Sequence, residues 1–402
     1  MTDFLAPNFV LRVGDREVDA GIRKLIQSVE YESADGIADV MRIRAINPDF
    51  RLSDARIFLP GNEVSLFAGY GSDLLHIGRV KIYKNRPTFP REGWPTFEVV
   101  GYTKDHDMMH RQPEESSRRP RRGRGRQRGG RRFRDSKYSD AVRSRAEDYG
   151  FTLDIDETPD SPSNFIQKTG MSDYDFVKGL ANLTGFIFWV DGDETGEWTL
   201  HFKDPDTFDN GQERILTFEY NQGDMSTLFT FEPELLITEA VARIRVRARN
   251  ARTGRIMESE FSEDNNQSPD VLYDLSDDDD IGIDFVELPT IDTPPASSTA
   301  IQIFIGDYSF QEVTSRRFRT EAELQTWARQ WFRRQRENFI MSRGSSIGVE
   351  DVLARQLHDI AGVGVMYDGR YYFSRVMHKM DADSGGYTLS FNCRKQTDPV
   401  SQ

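Results

Sequence analysis

The stretch SDYDFVKGLANLTGFIFWV, residues 172–190, decides how this chain is read. Ser172 stands before acids at 173 and 175, an arrangement that satisfies the unpaired N–H groups and the positive dipole end of a helix N-terminus. Phe176, Leu180 and Leu183 then fall on one helical face. The run FIFWV (186–190) follows and reads as one arm of a hairpin with WTLHF (198–202). Upstream lie a helix at about 136–149, with Ser136 as expected N-cap and Gly150 as its stop, and the strands FTLDI (151–155) and FIQKT (165–169). Together these make a small α/β domain over residues 136–205.

Both flanks of that unit are β. Residues 1–104 alternate FVLRV (9–13), KLIQSVEYE (24–32), ADVMRIRAI (38–46), EVSLFAGY (63–70), LLHIGRVKIYK (74–84) and TFEVVGY (96–102) with turn signals such as Asp35-Gly36 and Pro60-Gly61-Asn62. This predicts a first tube-like antiparallel β-barrel domain. Residues 206–261 begin a second one, with Thr253-Gly254 as a tight turn. Residues 301–402 complete it with a helix at 320–339 and a C-terminal hairpin, RYYFSRVMHKM with GYTLSFNCR. In that helix Thr320 and Glu323 form a capping box, and Leu324, Trp327, Ala328, Trp331, Phe332 and Phe339 an apolar stripe. The expected fold class is therefore α+β, mainly β: two barrel-like antiparallel β domains flanking a small α/β insert, with a C-terminal helix and hairpin.

Two segments interrupt this plan. Residues 105–135 read as an Arg-rich flexible insertion, because Arg118–Arg134 (RRPRRGRGRQRGGRRFR) holds ten arginines, no acid and five Gly or Pro breakers. Its arginines, Arg118, Arg119, Arg121, Arg122, Arg124, Arg126, Arg128, Arg131, Arg132 and Arg134, are candidate polyanion contacts, and three readings stay open: an exposed loop meeting DNA, transiently and salt-dependently, or an acidic protein surface; a solvated insertion with no dedicated partner; and a membrane-surface contact. Phe133 is the only aromatic there, so base stacking is poorly supplied. Residues 262–300, with Asp277–Asp280 and Pro294-Pro295, read as an acidic loop or linker.

Composition bounds the function. A length of 402 residues with 37% hydrophobic and 11% aromatic content supports two to four packed domains and excludes global disorder. The formal charge is −14, and −24 once the arginine window is set aside, so charge is segregated along the chain. Cys393 is the single cysteine, which rules out an intramolecular disulfide and a cysteine zinc cluster. The N-terminus carries no leader pattern and no apolar run approaches membrane-spanning length, so neither export nor stable membrane insertion is expected.

No catalytic constellation stands out. Of six histidines only His106 and His110 have i, i+4 spacing, at what reads as a strand exit, and Asp107 occupies the place of the glutamate in an HExxH motif. Acid pairs such as Asp154/Asp156 and Glu234/Glu239 arise readily among 66 acids. Asp277–Asp280 lacks the twelfth-position glutamate of a calcium loop, Leu288 standing there instead. There is no GxxxxGK[ST] or GxSxG motif. No enzyme activity, metal or cofactor is expected.

The layout and three passages resemble the phage tail and baseplate hub proteins of the late control protein D family, which are related to the hub part of type VI secretion spikes. The first passage is Ser172-Asp173-Tyr174-Asp175-Phe176 through Leu180-Ala181 to Gly185-Phe186-Ile187-Phe188-Trp189. The second is Ala328-Arg329 leading to Gly344-Ser345-Ser346-Ile347-Gly348. The third is Gly362-Val363-Gly364, Asp368-Gly369-Arg370-Tyr371-Tyr372, Val376-Met377-His378 and Gly386-Tyr387. The family's motif residues are structural: Phe176, Leu180 and Trp189 read as the α/β core, Gly369 and Gly386 as turn formers, and His378 as a packed strand residue.

The resemblance implies a virion structural protein of the tail baseplate, made in the host cytoplasm. It implies a homotrimer whose ring adapts a sixfold tail tube or tube initiator to a threefold central spike, in a contractile tail, and lets the tape measure and DNA pass during host cell entry. Two rivals remain from the residues alone: a nucleic-acid-binding protein acting through 118–134, and a tail-associated cell-wall hydrolase.

Overall fold

A computed structural model of the chain describes residues 6–14, 16–110, 130–134, 136–158, 164–205, 215–220, 227–235, 243–250, 253–262, 310–313, 317–318, 321, 324–325, 327–328, 340–364, 367–381 and 386–396. The first part forms β1 (Pro7–Val13), β2 (Arg16–Glu17), β3 (Ile26–Ala34), β4 (Val40–Ile46), β5 (Glu63–Tyr70), β6 (Asp73–Thr88) and β7 (Thr96–Tyr102). Short helices α1 (Ala20–Arg23) and α2 (Arg51–Asp54) fill its connections. The β5 and β7 bounds coincide with those read from the sequence; β7 alternates strictly, which leaves one register that buries its apolar set, whereas β5 is buried on both faces.

Next come α3 (Asp105–His110), β8 (Gly130–Arg134), α4 (Tyr138–Glu147), β9 (Thr152–Ile155), β10 (Asn164–Lys168), α5 (Asp173–Thr184), β11 (Ile187–Gly192) and β12 (Trp198–Lys203). The last part holds β13 (Thr217–Glu219), β14 (Leu228–Leu235), β15 (Arg243–Asn250), β16 (Ile256–Ser262), β17 (Phe310–Val313), β18 (Arg317–Phe318), β19 (Ile340–Ile347), β20 (Gln356–Ala361), β21 (Gly369–Asp381) and β22 (Gly386–Lys395).

The two β regions are joined more tightly than the sequence suggested. One 13-stranded sheet runs β14-β19-β22-β21-β3-β4-β7-β6-β5-β1-β2, with β13 and β20 attached beside β21. The seam is the antiparallel pairing of β21 with β3, from Arg375 opposite Ala34 to Asp381 opposite Ser28. Met380 and Tyr387 from the C-terminal hairpin lie in the same apolar cluster as Val29, Tyr31, Leu66 and Val80 of the first β region. A neighbouring cluster of Phe218, Phe373, Val376, Leu389 and Phe391 fills the second. The ladder path ends at β14 on one side and at β1–β2 on the other among the described residues.

One bulge keeps the long β21 arm amphipathic. Its pairing with β22 slips between Phe373 and Arg375. Because side chains alternate along a strand, Ser374 acts as the extra residue, letting Tyr371 and Phe373 share the buried face with Val376, His378 and Met380.

The α/β insert has its own core: Phe133, Tyr138, Val142, Phe176, Val177, Leu180, Phe188, Leu200 and Phe202, with Met108 from α3. Ser172 caps α5, its hydroxyl accepting from the Asp175 N–H at 3.0 Å, and Gly185 closes it at φ +82°. Asp173 is buried beside it, accepting from Gln167 Nε2 at 2.7 Å and Tyr149 O–H at 2.8 Å.

Several expectations are corrected here. Residues 105–110 and 130–134 are not part of a flexible insertion: the first is helix α3, and the second is a strand pairing antiparallel with β10. Phe133 provides the reason, stacking between Phe165 and Phe176 at 5.1 and 5.4 Å. The N-cap of α4 is Lys137, whose N–H donates to Asp140 at 2.9 Å, whereas the Ser136 hydroxyl turns back to the Arg134 carbonyl. Of the helix expected at 320–339, Glu321, Leu324, Gln325, Trp327 and Ala328 are described and helical. Leu324, Trp327 and Ala328 are buried against Val246 and Ala248 of β15. Thr320, Glu323, Trp331, Phe332 and Phe339 lie outside the described residues, as do Arg118–Arg128 and 263–300.

Candidate assembly surfaces

The face of the large sheet opposite the two cores carries ion pairs in both β regions. Arg375 on β21 meets Glu32 on β3 at 2.8 Å, and Arg42 on β4 approaches the same carboxylate at 3.5 Å. Arg44 bridges Glu30 and Glu98 at 3.8 and 3.7 Å, and Arg86 on β6 reaches Glu98 at 2.6 Å. At the far side Arg343 on β19 pairs with Glu232 on β14, and Thr230 and Ser345 hydrogen-bond at 2.7 Å. The exposed pairs among these contribute about 0–1 kcal/mol each, whereas Glu32 is itself buried beneath its two arginines. Acids and arginines thus face one another on both sides of the β3–β21 seam, with Met377 opposite Glu32 between them.

Behind that wall a buried polar node ties three parts of the chain together. Arg355, in the left-handed region at φ +72°, donates to the Ala34 carbonyl at 3.0 Å and to Asp39 at 3.4 Å. Its guanidinium lies 5.1 Å from the Trp189 ring of the insert. Asp39 also accepts from Tyr31 O–H at 3.2 Å and from the Ala34 N–H at 3.2 Å. Thr103 links it to a second buried acid, accepting from the Asp39 N–H at 2.9 Å and donating to Asp105 at 2.7 Å. Burial pushes Asp39 up to about 6 against the pull of Arg355, and burial pushes Asp105 up to about 7 against its Thr103 hydrogen bond.

Trp189 therefore does not belong to the α/β core as the motif reading placed it. It lies on the opposite face of β11, 8% exposed, stacked on His201 at 4.4 Å and facing Arg355. Phe176 and Leu180 are core residues as expected. Gly369 opens β21 at φ +134°, and Gly386 opens β22 opposite Asp381.

Two exposed regions are shaped for contact. At the β6–β7 end, Phe89 (58% exposed) lies 5.5 Å ring to ring from Phe50, whose backbone is held at φ +59°, and Trp94 in the same connection is 68% exposed. Leu59 is exposed on the same region, Phe58 O accepting from Asn85 at 3.2 Å. At the sheet ends, β14 pairs with β19 alone among the described residues, and β2 is two residues long. Glu232, Pro233 and Glu234 blunt the β14 edge against unselective strand addition.

The histidines and acid pairs have structural explanations. His378 is fully buried; its Nε2 is 2.7 Å from the Val352 carbonyl, which can only accept, so Nε2 carries the proton and Nδ1 accepts from Tyr387 O–H at 2.7 Å. Burial holds His378 and His358 down at about 4. His106 and His110 do share a helical face in α3, 3.3 Å apart, rather than a strand exit. Among the described residues no group of three metal-ligating side chains forms. Asp154 and Asp156 are both engaged by Lys203. Burial opposes charge on His201, but Asp191 and Asp154, at 3.1 and 2.8 Å, raise its pKa. Glu239 and Asp277–Asp280 lie outside the described residues. The candidate arginines divide likewise. Arg131 pairs with Asp148 at 3.2 Å, Arg132 and Arg134 are exposed on β8, and Arg118–Arg128 fall outside.

This fold is that of phage tail proteins. The tail protein of Neisseria meningitidis MC58 has a TM-score of 0.62 at 12% identity over 97% of both chains. The 43 kDa tail protein of prophage MuSo2 from Shewanella oneidensis has a TM-score of 0.64 at 8% identity, covering 97% of this chain and 98% of that one. The E. coli c3393 protein, a type VI secretion component with structural similarity to T4 bacteriophage tail proteins gp27 and gp5, gives 0.54 at 11% identity over 96% of this chain and 77% of that one. No family model and no curated protein matches the sequence. The resemblance read from the three passages thus holds at the level of fold.

Proposed function

We propose that the chain is a structural component of a virion tail, the central hub of the baseplate. Three copies form a ring in which each chain supplies two β units, so six similar walls meet a sixfold tail tube or its initiator and a threefold spike meets the other side. The observation that carries this reading is the single sheet through both β regions, with acids and arginines facing one another on both sides of the β3–β21 seam. The fold likeness over nearly the whole of two tail proteins supports it.

The role needs no catalysis. A face on which acids and arginines pair presents little net field to a tape measure or to DNA passing along it. The Phe50–Phe89–Trp94 end and the β14 edge are the surfaces that neighbouring copies and tube proteins cover. Made in the host cytoplasm, such a protein resides in the virion tail. Co-expression with the spike and tube proteins of the same tail tests the reading: a complex holding three copies of this chain is expected, and failure of both proteins to co-purify contradicts it.

A further inference from the structure

The ribbon formed by β8 and β10 is basic on its outer face. Phe133 and Phe165 are opposite one another and point into the insert core. Gln167 is buried and Arg131 is taken up by Asp148 and by Ser144 at 2.8 Å. Strand alternation then sends Arg132, Arg134, Ile166 and Lys168 to the other face, and all four are exposed. Arg132, Arg134 and Lys168 have no ion pair among the described residues.

We propose that this face binds the phosphate backbone of nucleic acid without reading sequence. Arg132 and Arg134 are alternate residues of one strand, ~6.6 Å apart along it. They present two guanidinium forks in a row to a polymer of regularly spaced phosphates. In sequence the ribbon is preceded by seven more arginines within Arg118–Arg128, with no lysine and no acid. A duplex, which carries one charge per ~1.7 Å of axis, offers such a row of guanidinium groups several phosphates within reach. The one aromatic of the tract, Phe133, is buried, so base stacking plays no part. The chain outside Arg118–Arg134 carries −24, which disfavours polyanion contact elsewhere on it. The inference is independent of the hub reading.

The test is fluorescence anisotropy of the full chain with a labelled random-sequence 30-bp duplex over a salt series, against R132Q/R134Q/K168Q. Wild type should bind at low salt with affinity falling linearly on a log–log plot, equally for an unrelated sequence. The triple variant should lower the slope by roughly two to three. In parallel, phenylglyoxal modification of wild type, read by mass spectrometry, should show Arg132 and Arg134 protected by the duplex and Arg131 little changed, which holds the proposal to account if the variant misfolds. An unchanged slope, absent protection, no duplex binding by wild type, or tighter binding of polyglutamate or anionic vesicles than of the duplex overturns it.

Discussion

Arg355 and Asp39, 316 positions apart in sequence, form a buried ion pair at 3.4 Å with the Trp189 ring lying against the guanidinium. Removing one partner of such a pair strands the other charge away from water, at about 3–5 kcal/mol. Arg355→Met should therefore lower the urea midpoint sharply, and adding Asp39→Asn should recover part of the loss. Strictly additive costs in that double-mutant cycle would show that the two residues are uncoupled.

Gly348 lies under Tyr387. A Cβ placed there would be 2.2 Å from Tyr387 Cγ, while the Gly348 carbonyl accepts from Tyr70 O–H at 2.8 Å. Gly348→Ala should cost about 1–3 kcal/mol by displacing the tyrosine that links the two β regions. A neutral thermal melt would mean this contact is misplaced.

His378 is neutral when folded, its pKa held near 4 by burial, whereas the unfolded value is about 6.5. A depressed histidine contributes stability that is complete above the unfolded pKa and is lost as pH falls toward the folded one. The stability gap between wild type and His378→Gln should shrink by about 1.4 kcal/mol per pH unit from 6.5 toward 4. Urea unfolding of both proteins across that window measures it, and a constant or widening gap contradicts the assignment. Asp39 and Asp105, with raised pKa values, drift the opposite way in both proteins and cancel in the difference.

Much of the architecture was legible because it rested on local signals. Alternation located β7, the turn residues Pro60-Gly61-Asn62 and Gly71-Ser72 bounded β5, and Ser172 with its following acids located the α5 cap. What was hidden depended on contacts remote in sequence. The β3–β21 ladder leaves no trace in either strand alone, and Arg355, in VLARQLHDI, reads as an ordinary surface cation until Asp39 is brought beside it. Phe188, Trp189 and Val190 are all buried because β11 is covered on both faces, so alternation could not assign Trp189 to a side. Phe133 was masked by the arginines around it, although an aromatic at the penultimate position of a basic tract was the available signal.

Trp327 is buried with Leu324 and Ala328 against β15. Trp327→Ala should cost about 3–5 kcal/mol in thermal or urea unfolding. An effect below 1 kcal/mol would remove this helix from the packed structure.

Phe89→Ser with Trp94→Ser should leave the isolated chain's stability within about 0.5 kcal/mol, since both rings face solvent. The same pair should weaken self-association if this end is a contact surface. Lost stability with intact association would reverse that assignment.

The most direct measurement of the central claim is the solution mass of the nuclease-treated full chain by light scattering, with the 260/280 nm absorbance ratio taken on the same peak. The hub account predicts a mass near three chains, free of nucleic acid after treatment. A single-chain mass that persists at every concentration and in the presence of the spike and tube proteins would contradict it.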